Sequence, residues 1–159
     1  LVLEAASQSA SVTHNHIEGI KGAQATAACI LLARKGATKA EIKSFIEDRF
    51  SYNLSRSLAE IRKTYQFDES CQKTVPESII AFLEATDFED AIRNTISLGG
   101  DTDTMGAITG GIAEAFYGGV PGAIAREALT RLDQPLRDVT LQFCNQYTYS
   151  YTSLLKSTP

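Results

Sequence analysis

The sequence predicts an all-α fold, and three observations carry this prediction. Apolar residues recur at spacings of three and four in almost every segment, which is the pattern of a helix with one buried face. Residues that begin helices, such as Thr38, and glycines that end them, such as Gly36, stand at the segment boundaries. Alternating, strand-like runs are nearly absent: the one candidate strand is 147–154, which equally fits the frayed end of a helix.

Three helices are predicted in the first part of the chain. A long helix covers 17–35 and ends at Gly36, and its small residues would let another helix approach closely. Its apolar positions are Ile20, Ala23, Ala27, Ile30 and Leu31, and its small ones are Gly19, Gly22, Ala23 and Thr26. A second helix starts at Thr38, which forms a capping box with Glu41, and runs to Phe50. A short helix covers 57–65.

The middle of the chain is predicted to contain one loop and two helices. Residues 66–75 are the most loop-like stretch of the sequence. Pro76, in a first-turn position, opens a helix over 76–85, because proline has no N–H to leave unpaired there. Asp87 caps the next helix, over 88–97.

Three further helices follow. A helix rich in alanine, glycine and isoleucine covers 105–117 and ends at the glycine pair 118–119. The next helix covers 121–132, and a last one starts at Pro135.

Length, charge and cysteine content exclude several classes of protein. A chain of 159 residues is expected to form a single domain, 1–159, without disulfide or metal staples. The net charge is −4 and no basic run exceeds two residues, so nucleic acid is not an expected partner. The longest apolar stretch, 27–33, is too short to span a bilayer, so a membrane is not expected either. Three cysteines without a CxxC pair favour a reducing, cytoplasmic setting.

The sharpest chemical feature is a glycine pair that leads into a helix start bearing two carboxylates and two hydroxyls. Its residues are Ser97, Leu98, Gly99, Gly100, Asp101, Thr102, Asp103 and Thr104. Glycines let a ligand approach the backbone, and free N–H groups at a helix start attract anions. Carboxylates at i and i+2, with a hydroxyl at i+3, can converge on a hard cation such as Mg²⁺. The alternative is helix capping by Asp101, and the two roles can coexist.

Both histidines, His14 and His16, lie just before the long helix. A His-x-His pair can bind zinc or copper, but no nearby cysteine or third histidine completes such a site. A polar helix start capped by Thr13 or Asn15 is the plainer interpretation. A third possibility is a histidine that donates to a phosphate or ribose of a ligand.

Three stretches together closely resemble the C-terminal half of the ADP-ribosylglycohydrolase family. This family includes the dinitrogenase reductase-activating glycohydrolases and the eukaryotic ADP-ribosyl-acceptor hydrolases. The stretches are 13–22, 67–78 and 96–117, the last reading ISLGGDTDTMGAITGGIAEAFY. The resemblance extends to about Leu141, and its most specific element is Gly-Gly-Asp-x-Asp-Thr.

The resemblance implies an orthogonal all-α bundle with two Mg²⁺ or Mn²⁺ ions at the bottom of a cleft for ADP-ribose. The metal ligands in this chain would be Asp101, Asp103 and Thr104. The residues that contact the substrate would be His14, Ser97, Gly99 and Gly100. His16 matches a second family histidine, but Ile17 stands where that motif usually has proline.

The family's other metal ligands, and the acidic residue that helps to activate water, belong to an N-terminal Thr-Asp-Asp motif. This sequence has no such motif; the nearest string, 86–88, lies in the wrong place. The only methionine is Met105, so Leu1 is not an initiator and the chain is expected to be a piece of something longer. We therefore expect an incomplete fold that binds metal weakly and turns over poorly, unless an N-terminal part or a second chain completes the site.

The resemblance implies a hydrolase that releases ADP-ribose from modified protein side chains by two-metal-assisted cleavage of the glycosidic bond. ADP-ribosylated protein or ADP-ribose would be its partner. An alternative is a catalytically silent fragment that binds ADP-ribose or a protein. A third hypothesis, a phosphate-transferring hydrolase of the Asp-x-Asp-x-Thr type, fits poorly, because that motif directly follows a β-strand and its threonine comes one residue later.

Overall fold

The computed structural model describes residues 1–147, and over these residues the chain is all-α, as predicted. The helices are α1 (Val2–Ser11), α2 (Ile17–Arg34), α3 (Lys39–Phe50), α4 (Leu58–Ile61), α5 (Cys71–Glu84), α6 (Phe88–Ile96), α7 (Thr102–Tyr117), α8 (Gly122–Arg131) and α9 (Gln134–Tyr147). Within the same residues, no helix is long and apolar enough to cross a membrane.

The chain divides into two compact units. The first is Leu1–Gly118 and holds α1 to α7; the second begins at Gly119 and holds α8 and α9. The single domain expected over 1–159 stays a prediction.

The predicted capping groups start their helices. At α3 the Glu41 carboxylate accepts from the Thr38 backbone N–H at 2.7 Å, and the Thr38 hydroxyl accepts from the Glu41 N–H. The Thr38 N–H and the Thr38 hydroxyl, which donates to the same carboxylate at 2.8 Å, hold the pKa of Glu41 below its ordinary value. Asp87 Oδ1 likewise accepts from the Asp90 N–H at 2.8 Å and begins α6. The sequence therefore predicted these two boundaries correctly, with a physical reason for each.

The predicted loop is correct over 66–70 and wrong over 71–75, and the placement of Pro76 is wrong. α5 begins at Cys71, so Pro76 lies inside the helix and not in its first turn. A proline inside a helix costs about 3 kcal/mol. Burial of a large apolar side chain contributes about 1.5–3 kcal/mol, and α5 buries Ile79, Ile80 and Phe82 almost completely. Burial of this one face therefore outweighs the cost of the proline.

Other elements also differ from the prediction, among them α4, which ends at Ile61 and not at the predicted 65. α1 was not predicted. A helix of ten residues is only marginally stable by itself, and α1 packs on α2. Gln24 Nε2 on α2 donates to the Leu3 carbonyl at 2.9 Å. α7 begins three residues earlier than predicted, because Met105 N–H already donates to the Asp101 carbonyl. The candidate strand over 147–154 is helical at Tyr147, the last residue of α9, and 148–154 lie outside the described residues.

α7 packs against α2, α5 and α6 through small residues. A Cβ on Gly110 would lie 3.3 Å from the Ile92 side chain, and one on Gly111 would lie 3.5 Å from that of Ile30. A Cβ on Gly22 would lie 3.1 Å from the side chain of Val75 in α5. The predicted close approach to the small face of the long helix is thus confirmed at Gly22.

A buried chain of hydroxyl groups connects the same helices. Thr95 Oγ1 on α6 donates to Thr109 Oγ1 on α7 at 2.9 Å, and Thr109 Oγ1 donates to the Ser78 carbonyl on α5 at 2.9 Å. Thr95, Thr109 and Ser78 are all fully buried. Because a buried polar group without a partner is costly, this chain favours one relative position of α5, α6 and α7.

The other end of α7 is tied to α3 and α5 around Lys39. The Lys39 ammonium lies 5.0, 5.6 and 5.5 Å from the ring centres of Phe82, Phe116 and Tyr117 and donates to the Ala85 carbonyl. The Tyr117 hydroxyl donates to the same carbonyl at 3.0 Å. Burial lowers the pKa of Lys39, but three aromatic rings favour its cationic form.

In the second unit, Asp133 and Arg137 join α8 to α9. Leu136 N–H donates to Asp133 Oδ1 at 3.0 Å, which caps α9. Arg137 donates to the carbonyls of Leu129 and Leu132, both at 2.8 Å, and so satisfies acceptors at the end of α8. These bonds account for the turn between the two predicted helices.

Replacing Thr109 with valine tests the buried hydroxyl chain. Valine keeps the shape but removes both hydrogen bonds, so Thr109→Val is expected to lower the unfolding free energy by about 1–2 kcal/mol in urea denaturation. The matched control is Thr130→Val on α8, where an exposed hydroxyl donates to the Glu127 carbonyl and the expected loss is below about 0.5 kcal/mol. Equal losses in the two variants would contradict the proposed role of the chain.

Candidate functional site

The turn between α6 and α7, residues 97–104, holds the predicted glycine pair in the left-handed region. Gly99 has φ 75° and Gly100 has φ 74°, values that a side chain disfavours. A Cβ on Gly100 would also lie 2.8 Å from Cε1 of Tyr65, whereas the space beside Gly99 is open. Two glycines are therefore needed here for different reasons: Gly99 for its backbone angles alone, and Gly100 for its angles and a close neighbour.

The two carboxylates of this turn interact with each other. Asp101 is in the N-cap position of α7, but its side chain makes no capping hydrogen bond. Interaction with the Asp101 side chain, and the hydrogen bond that Asp103 Oδ1 accepts from the Thr104 N–H at 3.1 Å, keep the pKa of Asp103 below its ordinary value. Asp101 is half-buried, and Asp103 and Thr104 are exposed. Capping therefore does not account for the Asp101 side chain.

These three residues fit part of the coordination shell of a hard cation. Two carboxylates and a hydroxyl supply oxygen atoms, the ligands that Mg²⁺ and Mn²⁺ prefer, and a cation between the carboxylates would offset their repulsion. Mg²⁺ takes six oxygen ligands, several of them waters. Among residues 1–147, no group of three or more His, Cys, Asp or Glu side chains is arranged to hold a metal. The turn thus supplies some of the ligands of a metal site and not the complete set.

Ser97 lies at the start of the turn with its hydroxyl already engaged. Arg62, the residue after α4, donates to Ser97 Oγ from Nε at 2.9 Å and from Nη2 at 2.7 Å. Ser97 Oγ donates in turn to the Asn94 carbonyl at 2.7 Å. The structure therefore links Ser97 to the segment after α4.

The two histidines lie on a separate element, the link between α1 and α2. His14 Nδ1 is 2.8 Å from the Thr13 hydroxyl, and His16 Nδ1 accepts from the Glu18 N–H at 3.2 Å. His16, and not the expected Thr13 or Asn15, is thus the N-cap of α2. Both Nδ1 atoms thus have local partners, and within residues 1–147 no third His, Cys, Asp or Glu side chain joins the two rings in a group that could hold a metal.

A second polar site, which the sequence analysis missed, lies beside the turn. A cavity of about 370 Å³ is lined by Arg56, Ile61, Thr64, Tyr65, Gln66, Phe67, Asp68, Lys73 and Glu77. Glu77 is 3% exposed, and its Oε1 lies 2.8 Å from Arg56 Nη2. Within the described residues its Oε2 has no hydrogen-bond partner. The only signal in the sequence was a glutamate, Glu77, close to the apolar residues Ile79, Ile80 and Phe82.

Burial raises the pKa of Glu77, even though Arg56 opposes the shift. Nearby, hydrogen bonds from Lys73 and Ser70 lower the pKa of Asp68 to about 2. The cavity therefore holds one carboxylate whose pKa is raised and one whose pKa is lowered.

Comparison with known proteins supports one family. The model for the family described as ADP-ribosylglycohydrolase matches residues 1–153. A solved structure described as "ADP-ribosylglycohydrolase-related protein complex" shares 28% sequence identity, covers 86% of this chain and has a TM-score of 0.64. This chain spans about half of that protein, 48% of its length. None of the curated proteins matches.

Alanine substitutions at the two glycines separate backbone strain from close contact. Gly99→Ala is expected to cost about 1–2 kcal/mol of unfolding free energy from its positive φ alone. Gly100→Ala is expected to cost more, because its Cβ also meets the Tyr65 ring. Thermal or urea unfolding of both variants measures the difference. Equal losses would mean that Tyr65 yields freely to the added methyl group.

The pKa of Glu77 predicts the pH dependence of a Glu77→Gln variant. A carboxyl whose pKa is raised by folding stabilises the protein fully below its unfolded pKa, and this contribution is lost as pH rises through the folded pKa. The unfolding free energy of Glu77→Gln relative to wild type is therefore expected to rise as the pH increases from 4 to 7. The exposed Glu69→Gln variant corrects for the loss of one negative charge. A relative stability that falls over this range would contradict the raised pKa.

Proposed function

The chain belongs to the ADP-ribosylglycohydrolase family, and from this premise we propose that it acts as a hydrolase releasing ADP-ribose from modified protein side chains. One observation carries the proposal: the glycine turn presents Asp101, Asp103 and Thr104 together at the start of α7. The family supplies the type of reaction, and this turn supplies the residues that would take part in it.

Asp101, Asp103 and Thr104 would hold divalent cations, Mg²⁺ or Mn²⁺, two in the complete site. Bound there, such ions supply Lewis-acid charge stabilisation for cleavage of the glycosidic bond. The residues of this chain would position the metal ions and the substrate. The two carboxylates fix one side of the site, and the open space beside Gly99 leaves room for a ribose to approach.

The substrate would extend from this turn along the surface of the first unit. His14 is exposed and would contact the ADP-ribose, together with Gly99 and Gly100. Because Arg62 and Asn94 already engage the Ser97 hydroxyl, the proposed contribution of Ser97 is to hold the shape of the turn. Cys29, Cys71 and Cys144 form no disulfide within the described residues, which supports a reducing, cytoplasmic setting for the reaction.

The remaining metal ligands would come from outside these 159 residues. The sequence contains no Thr-Asp-Asp motif, and residues 1–147 hold no complete metal cluster. We infer that a further polypeptide segment, on the same or another chain, completes the shell. The acidic group that activates water would belong to that segment as well.

An activity assay tests this proposal. The chain is mixed with an ADP-ribosylated peptide and Mg²⁺, with and without the N-terminal half of a family hydrolase, and released ADP-ribose is measured. Release is expected from the mixture with both halves. Asp101→Asn is expected to reduce it at least about a hundredfold, because the variant removes a metal-binding charge. The matched control, Asp138→Asn on α9, is expected to leave it unchanged.

The binding alternative predicts a different result in calorimetry with ADP-ribose. Binding that needs Mg²⁺ and disappears in Asp101→Asn agrees with the hydrolase. Binding that needs no metal and survives in Asp101→Asn, combined with no release in the assay, would favour a silent ADP-ribose-binding module.

A further inference from the structure

Tyr65 meets the 97–104 turn at two points. A Cβ on Gly100 would lie 2.8 Å from Cε1 of the Tyr65 ring, so the ring packs closely against the backbone of the turn. Its hydroxyl lies 3.3 Å from the sulfur of Met105 and donates to it. Met105 is fully buried in the first turns of α7. Tyr65 thus contacts the residue before Asp101 and the residue after Thr104.

Tyr65 is itself held in place by α4. Its N–H donates to the Ile61 carbonyl at 2.8 Å, and Ile61 is 3% exposed. Arg62, in the same short segment, donates to Ser97 at the other end of the turn. The segment 58–65 therefore contacts the turn at Ser97 and Gly100, and also contacts Met105, the residue that follows the turn.

The turn needs such support because of its composition. Glycine loses more conformational freedom on folding than any other residue, and this turn has two in succession. A displacement of about 1 Å at a catalytic group can lower the reaction rate about a hundredfold. An aromatic ring packed on the glycine backbone supplies the restraint that the glycines lack.

We propose that Tyr65 is a positioning residue that holds the Gly99–Gly100 backbone and thereby fixes the orientation of Asp101 and Asp103. This inference rests on the proposed function for its catalytic meaning, but not for its structural test. Tyr65 acts through the turn and does not itself ligate metal.

Hydrogen exchange of the turn provides the structural test. In Tyr65→Ala, peptides covering 97–105 are expected to exchange about tenfold faster or more, since the turn opens locally. Tyr65→Phe keeps the ring and is expected to stay within about threefold of wild type. Tyr65→Leu, which keeps apolar bulk, serves if Tyr65→Ala does not fold, and is expected to show faster exchange too.

The matched control is Tyr117→Ala, the same change at the far end of α7, about 20 Å away along the helix. It removes a ring and a hydrogen bond to Ala85 but touches no part of the turn. Exchange in 97–105 is expected to remain near the wild-type rate. Equal acceleration in Tyr65→Ala and Tyr117→Ala would overturn the proposal, and so would acceleration in Tyr65→Phe equal to that in Tyr65→Ala.

Calorimetry with Mn²⁺ tests whether Tyr65 affects metal binding by the turn. Tyr65→Ala is expected to weaken Mn²⁺ binding about tenfold or more, and Tyr117→Ala to leave it unchanged. The titrations use the chain mixed with the N-terminal half of a family hydrolase. Wild-type protein that binds no Mn²⁺ in that mixture would count against the proposed function alone, since the exchange measurement decides the role of Tyr65 without metal. Unchanged Mn²⁺ affinity in Tyr65→Ala would overturn the positioning role.

Discussion

The buried contact of Thr109 with Thr95 and with the Ser78 carbonyl is the interaction on which the rest of the first unit depends. It lies in the middle of α7, where the helix is narrow because two glycines leave room for Ile92 and Ile30. Apolar packing alone tolerates small sliding movements of one helix past another. A directed hydrogen bond in a dry interior does not, because a shift leaves a polar group unpaired. The hydroxyl chain therefore fixes the register of α7.

The position of α7 determines the position of the candidate site, because the site residues stand at the start of this helix. Contacts at its other end hold the helix in place. At its C-terminal end, Tyr117 and Lys39 share the Ala85 carbonyl and join α3, α5 and α7. At its N-terminal end, Asp101, Asp103 and Thr104 follow directly from the glycine turn. A rigid helix transmits its core position to these side chains, whereas the turn itself depends on neighbours such as Tyr65. Membership of the ADP-ribosylglycohydrolase family agrees with this arrangement, in which a packed core carries a polar helix start.

Much of the fold could be predicted because its rules are local. Thr38 and Glu41 are three residues apart, so one helical turn brings them together wherever the helix lies. Pro76 shows where local rules fail: burial of α5 outweighs the cost of a proline inside it. His16 shows another failure. Its ring nitrogen caps α2 in place of the hydroxyl or amide side chains that usually do so.

The sequence by itself determined the helical class, most helix starts and the presence of two carboxylates after a glycine pair, since these depend on residues close together in the chain. Only the tertiary structure decided what surrounds that pair. Arg62 bonds to Ser97 across 35 residues, and Tyr65 reaches Met105 across 40. It also decided that the Asp101 side chain caps no N–H group. Such contacts have no local pattern, because they join segments far apart in the chain and form only when the helices pack together.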